Sequence, residues 1–118
     1  MKQILATALL TICLATGACA ADVRLEQYLH PKKEGVRTLN RVFLDGVKSG
    51  LTMYSVAMGE HGGTPTFCLP PNLALTVEQA DDILVRWANT HHPAPDTPIS
   101  LLLLLGLEET FPCSKPGR

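Results

Sequence analysis

Residues 67–113 decide the fold, and they read FCLPPNLALTVEQADDILVRWANTHHPAPDTPISLLLLLGLEETFPC. Two helix-forming stretches lie between two cysteines in this segment. Thr76 is followed three residues later by Gln79, which is the capping-box pattern of a helix start. The apolar positions that follow recur at helical spacing; they are Ala80, Ile83, Leu84, Trp87 and Ala88. A helix is therefore predicted from Thr76 to near Thr90.

A second helix is predicted after a proline-rich loop, His91–Asp96. Thr97 is suited to cap this helix, and Pro98 takes the first-turn position that proline favours. The helix should run from Ile99 to about Glu109. Leu101–Leu105 is apolar on every side, which a surface helix of a monomer does not tolerate. We therefore expect a central helix that also contributes to a homodimer.

A long helix is predicted upstream of this pair. Its apolar residues recur at steps of three or four and should face the core; they are Val36, Leu39, Phe43, Val47, Leu51, Tyr54 and Met58. Gly46 and Gly50 lie beside this stripe, where we expect close packing inside the protomer, with a dimer seam as the alternative. The helix should end near Gly59, because the glycines and Pro65 that follow do not continue it.

The first twenty residues form a separate segment. Lys2 precedes an apolar stretch from Ile4 to Leu14, and the small residues Ala18-Cys19-Ala20 are typical of a cleavage site. Because a bilayer span needs about 20 apolar residues, this stretch indicates a secretory signal peptide, residues 1–20, and not a membrane span. A lipoprotein with Cys19 as its lipidated first residue is the alternative. Residues 21–118 are then one periplasmic domain, which opens with a polar lead-in up to Glu34.

Cleavage changes the cysteine count. Cys13 and Cys19 would leave with the signal peptide, and Cys68 and Cys113 would remain in an oxidising compartment. We expect these two to form a disulfide. They are 45 positions apart, for which the chain-entropy model gives about 4 kcal/mol of stabilisation. The alternative, a catalytic Cys68, would require a free thiol.

Length and composition are those of one ordinary globular domain. The chain has 118 residues, of which 46% are hydrophobic and 18% charged, as in ordinary globular domains. The formal net charge is −1 and the basic residues are spread along the chain, so no nucleic acid partner is expected. The predicted architecture is all-α, with three to four helices closed by one disulfide and no cofactor.

Catalytic motifs are scarce. The sequence has no Gly-x-Ser-x-Gly elbow, no phosphate-binding glycine loop and no His-Glu-x-x-His pattern. His91 and His92 are adjacent, but neighbours in a loop point apart and the thiols are committed to the disulfide, so no metal site is expected. Glu60 and His61 in the glycine-rich loop could form an acid and base pair. An exposed polar loop tip is the interpretation we favour.

Several short motifs occur in a characteristic order. Phe-Leu-x-Gly-Val-x-x-Gly-Leu, at Phe43–Leu51, is followed by Phe67-Cys68-Leu69-Pro70, Thr76-x-x-Gln79, His92-Pro93 and a leucine-rich helix that ends in Phe111-Pro112-Cys113. In this order they resemble the Tai-type immunity family, from Glu34 to Cys113. Gly106 departs from the family pattern, which has Ala before Leu at this place.

The resemblance implies a dimeric, non-enzymatic periplasmic protein that binds a peptidoglycan amidase toxin delivered by type VI secretion and blocks its cleft with a loop. Two loops could do this, Gly59–Thr66 and His91–Asp96. We favour the second, because its prolines reduce the entropy lost on docking. The candidate contact residues are His91, His92, Pro93 and Asp96 in this loop and Glu60 and His61 in the other.

Two other functions remain open at this point. A periplasmic stress chaperone can also be small, helical and closed by a disulfide, and it would bind many unfolded proteins. An enzyme that uses Glu60 and His61 would lose activity on substitution of either residue while remaining folded.

Overall fold

The computed structural model describes residues 22–114, which contain four α-helices and no strand. The helices are α1 (Leu25–Leu29), α2 (Glu34–Glu60), α3 (Val77–His91) and α4 (Ile99–Thr110). The all-α fold class is confirmed. The predicted signal peptide, residues 1–20 with the alternative lipidation site Cys19, lies outside the described residues. Within residues 22–114 no helix has both the length and the apolar character needed to cross a membrane.

Helix α4 is the centre of the core, as its leucine run predicts. Its side chains with no exposed surface are Ile99, Leu102, Leu103 and Leu107. Helices α3 and α2 both pack against it, so that of the leucines from 101 to 105 only Leu101 is clearly exposed. Helix α4 lies close against α3 at Gly106, where a Cβ atom would lie 2.7 Å from Cγ2 of Ile83.

Helix α3 begins where the capping box predicts. The Thr76 side chain accepts a hydrogen bond from the Gln79 amide (3.2 Å), and the Gln79 side chain accepts one from the Thr76 amide (2.9 Å). These bonds satisfy two backbone donors that a helix start leaves free. The buried face of α3 consists of Ala80, Ile83, Leu84 and Ala88.

Helix α2 packs on the core through a face that overlaps only in part with the predicted stripe. Asn40 and Leu44 are its buried residues, and Phe43, Val47 and Leu51 are partly buried. Three members of the predicted stripe are exposed instead; they are Val36, Leu39 and Tyr54. The apolar residues of α2 are spread over two sides of the helix, and spacing alone does not show which side meets the core.

The glycine pair of α2 has no packing role inside the protomer. A Cβ atom built on Gly46 or on Gly50 meets nothing within 4 Å. The expectation that this pair lets another helix of the same protomer approach is therefore wrong.

The segment predicted to be a polar lead-in contains a short helix, α1. Leu25 and Tyr28 are buried on the core side, and the Tyr28 hydroxyl donates a hydrogen bond to the carboxylate of Asp81 in α3. The side-chain amide of Asn40 in α2 donates to the main-chain carbonyl oxygen of Gln27 at 3.0 Å. The prediction missed α1 because a helix of five residues is too short for its three apolar side chains to establish a period.

The predicted disulfide between Cys68 and Cys113 is present, with 4.9 Å between the two Cα atoms. It joins the connector between α2 and α3 to the segment after α4. The Cys68 amide also donates to the carbonyl oxygen of Phe111 at 2.8 Å. Next to the disulfide, Phe67 is fully buried, and its carbonyl oxygen accepts a hydrogen bond from the Ser55 hydroxyl of α2 at 2.8 Å. The connector is therefore fixed to both α2 and the end of α4.

Candidate functional site

The connection between α3 and α4, residues 92–98 and hereafter the α3–α4 loop, begins with a left-handed residue. His92 has φ = 51° and follows the last residue of α3, and its amide donates to the carbonyl oxygen of Ala88 at 2.9 Å. Helices often end with a residue in this conformation, usually Gly and sometimes Asn. The His92 side chain is exposed.

The loop is held by a turn of its own. The Thr97 amide and hydroxyl both donate to the carbonyl oxygen of Ala94, at 3.0 and 2.7 Å. Prolines at positions 93, 95 and 98 have no amide hydrogen and fix their own φ angles. Few backbone conformations are therefore open to this loop.

Residues 24–26, at the start of α1, brace the loop through hydrogen bonds to its carbonyl oxygens. The amides of Leu25 and Glu26 donate to the carbonyl oxygens of Thr97 and Pro95, both at 2.9 Å. The Arg24 guanidinium donates to the carbonyl oxygen of Asp96 at 3.0 Å. The first amides of a helix have no partner inside that helix, so α1 offers these donors to the loop at its own start. The brace uses main-chain oxygens of the loop, and the Asp96 side chain stays exposed.

His91 does not point into the loop. Its ring stacks on that of Trp87, with 4.1 Å between the ring centres and 11° between the planes. Its Nδ1 lies 3.0 Å from the Trp87 carbonyl oxygen, and its Nε2 lies 3.4 Å from a carboxylate oxygen of Glu109 in α4. Of the four predicted contact residues of this loop, His91 is thus engaged with α3 and α4. His92 and Asp96 are exposed and Pro93 is half-buried.

The other candidate loop, Gly59–Thr66, begins at the end of α2 and is held there by backbone hydrogen bonds. The Gly63 amide donates to the Met58 carbonyl oxygen at 2.8 Å, and Gly62 has φ = 74°. The side chains of Glu60 and His61 are both exposed, and no hydrogen bond or ion pair of either side chain is present within residues 22–114. Their arrangement is that of an exposed loop tip and does not show an organised acid and base pair.

Adjacent histidines such as His91 and His92 can serve as metal ligands when their rings converge. In the described part of the chain, no group of three or more His, Cys, Asp or Glu side chains could hold a metal ion. The rings of His91 and His92 do not share a site. The His91 ring stacks on Trp87 of the same helix, whereas His92 is the residue that caps the end of α3.

Sequence reasoning did not identify Arg24 or α1 as part of this site. The sequence signal for the start of α1 is weak. It consists of Gln27, three residues after Arg24, whose side chain accepts a hydrogen bond from the Arg24 main-chain amide at 3.2 Å. This pairing marks the start of a helix but does not show that the helix lies against a loop seventy positions further along the chain.

These features define a class of protein: a small, disulfide-closed helical domain that presents a preformed loop on its surface. The sequence matches the family described as Rap1a immunity proteins over residues 6–113, which is most of the chain, and the chain belongs to that family. The expectation of an immunity protein is confirmed at this level. No curated protein and no solved structure gives a significant match.

Proposed function

We propose that this chain is a periplasmic immunity protein of the Tai type, which binds a peptidoglycan amidase toxin delivered by type VI secretion and blocks its active-site cleft. Membership of the Rap1a immunity protein family supports the immunity role. The ordered motifs from Phe43 to Cys113 support the more specific assignment. The disulfide supports a location outside the cytoplasm, because such bonds persist in oxidising compartments.

The observation that carries the proposal is the braced α3–α4 loop. Fixing one residue's backbone costs about 1–2 kcal/mol, and a loop that is already fixed in the free protein does not incur this cost on binding. Three hydrogen bonds from residues 24–26 hold the loop's carbonyl oxygens. The loop is therefore suited to enter a cleft without rearrangement.

The chemistry of the loop suits a polar cleft. The imidazole of His92 and the carboxylate of Asp96 are exposed, while the prolines between them supply rigid apolar surface. A blocking loop needs only to fill the cleft and exclude substrate, and no chemical step is required of it. We infer that His92, Pro93 and Asp96 make the contacts, with Glu60 and His61 outside them.

Survival of a sensitive bacterium tests the proposal. Cells would produce, one at a time, periplasm-directed type VI amidases from several families, together with the full chain. We expect protection against one amidase family and, with purified proteins, inhibition of peptidoglycan cleavage at a one-to-one ratio of chains. The same chain without residues 1–20 should stay in the cytoplasm and give no protection.

Matched loop variants locate the contact. His92→Gly removes the imidazole but keeps a residue that favours the left-handed conformation, and Asp96→Lys leaves the Asp96 carbonyl oxygen available to Arg24. Both should weaken inhibition at least tenfold, whereas Glu60→Gln and His61→Gln should not.

Three results would contradict the proposal. They are lack of protection against every amidase, equal protection by the cytoplasmic form, and suppression of unfolded-protein aggregation without inhibition of any amidase. The last result would favour a stress chaperone.

A further inference from the structure

The two cysteines of the disulfide differ in exposure. Cys68 is exposed, whereas Cys113 is half-buried. Cys68 lies on a stretch of the connector, residues 64–70, that is neither helix nor strand. Exposure alternates there as in an extended chain, in which successive side chains point to opposite sides. Because Phe67 is fully buried, its neighbour Cys68 is turned toward the surface.

Main-chain contacts on both sides hold Cys68 in this position. Its amide donates to the carbonyl oxygen of Phe111 at 2.8 Å, and the carbonyl oxygen of Phe67 accepts a hydrogen bond from the Ser55 hydroxyl at 2.8 Å. Neither bond involves a sulfur atom. We therefore expect Cys68 to stay at the surface in the reduced protein as well.

A cleft of about 330 Å³ opens beside Cys68. It lies between the C-terminal part of α2 and the connector at Pro65 and Leu69. Cys113 is not among the described residues that line this cleft. A partner can therefore approach Cys68 from the surface without displacing a helix.

Cys113 is shielded by the connector. Its Sγ atom lies 3.4 Å from the carbonyl oxygen of Pro65. When the disulfide is open, this oxygen is an acceptor for the Cys113 thiol, which keeps that sulfur against the connector. The rate of thiol–disulfide exchange depends on which sulfur is attacked and on access to it. The folded chain therefore favours reaction at Cys68.

We propose that Cys68 is the sulfur through which this disulfide exchanges with a dithiol oxidoreductase, an enzyme whose two active cysteines form a Cys-x-x-Cys motif, and that Cys113 is the resolving thiol. Enzymes of this kind exchange disulfides through a mixed disulfide with their substrate. The inference goes beyond toxin binding and does not depend on it.

The closing reaction has two steps. The Cys68 thiolate attacks the disulfide of the oxidised enzyme, one enzyme sulfur leaves as a thiolate, and the other is joined to Cys68. The Cys113 thiolate then attacks Sγ of Cys68 and displaces the second enzyme sulfur. Two electrons pass to the enzyme, and the protons given up by the two thiols of the chain are balanced by those that the enzyme thiolates take up. Opening by the reduced enzyme passes through the same mixed disulfide in reverse.

Trapping the mixed disulfide tests the assignment on the oxidised, folded chain. The probe is a thioredoxin whose second active-site cysteine is replaced by alanine, so that it cannot release itself. After an acid quench, free thiols would be blocked with N-ethylmaleimide and the linked peptides identified by mass spectrometry. We expect at least about fivefold more probe on Cys68 than on Cys113. Equal amounts, an excess on Cys113 or no linkage would overturn the proposal.

Reduced glutathione provides a control for the role of the fold. With the native chain it should also add mainly to Cys68. In concentrated urea the preference should fall below about twofold, because both sulfurs are then accessible. A preference that persists in urea would show that the local sequence directs the exchange, and would also overturn the proposal.

Single-cysteine variants test the closing direction. Cys113→Ser and Cys68→Ser would each be incubated with glutathione disulfide, and circular dichroism would check that both retain their helices. The Cys68 thiol of the first variant should form its mixed disulfide at least about fivefold faster than the Cys113 thiol of the second. Similar rates in two folded variants would contradict the assignment.

Discussion

The guanidinium of Arg24 donates a hydrogen bond to the carbonyl oxygen of Asp96, at 3.0 Å and across 72 positions of the chain. This contact joins the start of α1 to the tip of the α3–α4 loop. Because it involves the main chain of Asp96 and not its carboxylate, the side chain remains exposed. The main-chain oxygen of Asp96 therefore helps to hold the loop, whereas its side chain is free to contact a partner. A substitution can change one of these two properties without the other.

Arg24→Ala should loosen the α3–α4 loop without unfolding the domain. We expect the amides of Glu26 and Thr97 to exchange with deuterium several times faster, because their bonds to loop carbonyls lose a supporting contact. The free energy of unfolding should fall by no more than about 1 kcal/mol, as for one solvent-exposed hydrogen bond. Arg37→Ala, which breaks an exposed pair with Glu34, is the control and should leave loop exchange unchanged.

Gly106→Ala should destabilise the protein. A methyl group there would stand 2.7 Å from Cγ2 of Ile83, and overpacking of this kind costs about 1–3 kcal/mol. The effect should exceed the gain of up to about 1 kcal/mol that Ala has over Gly in a helix. Urea unfolding measures the difference. Gly59→Ala, which meets nothing within 4 Å, should be neutral or stabilising, and equal destabilisation by both variants would refute the steric argument.

Reduction of the disulfide should lower the free energy of unfolding by about 4 kcal/mol for a closed loop of this length. Cys68→Ser with Cys113→Ser should give a similar loss, provided that the sulfurs contribute mainly by restricting the unfolded chain. The comparison of oxidised, reduced and doubly substituted protein in urea measures this. A loss below about 1 kcal/mol would mean that packing around Phe67 already fixes the connector.

Tyr28 should make stability depend on alkaline pH. Burial in the core, and next the hydrogen bond to Asp81 and its negative charge, raise the pKa of the Tyr28 hydroxyl far above its ordinary value, while Arg41 lowers it by a smaller amount. Tyrosine in the unfolded chain ionises near pH 10. The contribution of Tyr28 is therefore complete below about pH 10 and declines as the pH rises toward the pKa of the folded state.

Tyr28→Phe is the matched variant for this effect. At neutral pH it should cost about 1.5–3 kcal/mol, because it removes a hydrogen bond to a charged group. Above pH 10 the difference from the parent protein should become smaller. Urea unfolding at several pH values checks both expectations, and a constant difference across the alkaline range would show that Tyr28 ionises equally in both states.

Much of the fold could be predicted from local signals. Thr76 and Gln79 marked the start of α3, the unbroken leucines of α4 indicated a central helix, and two retained cysteines indicated the disulfide. Each of these signals lies within a few residues of the feature that it predicts. They depend on backbone hydrogen bonds and on periodic burial, which are local properties of the chain.

The remaining features depend on contacts between distant segments. The position of Asn40 in the core follows from its hydrogen bond to the Gln27 carbonyl oxygen, and no local pattern shows this contact. The same holds for the face of α2 that meets the core, which is centred on Leu44. For the candidate site, the loop itself was predicted, but its brace by Arg24 was not, because helix-start signals do not indicate what the helix start touches.

The disulfide has a topological consequence for the α3–α4 loop. Cys68 precedes α3 and Cys113 follows α4, so the two helices and their loop form a closed covalent ring, with the loop opposite the sulfur link. A protease that cuts one peptide bond in the exposed loop would leave both fragments in a single molecule. Reassembly after such a nick would then be intramolecular, and its extent would not depend on how dilute the protein is.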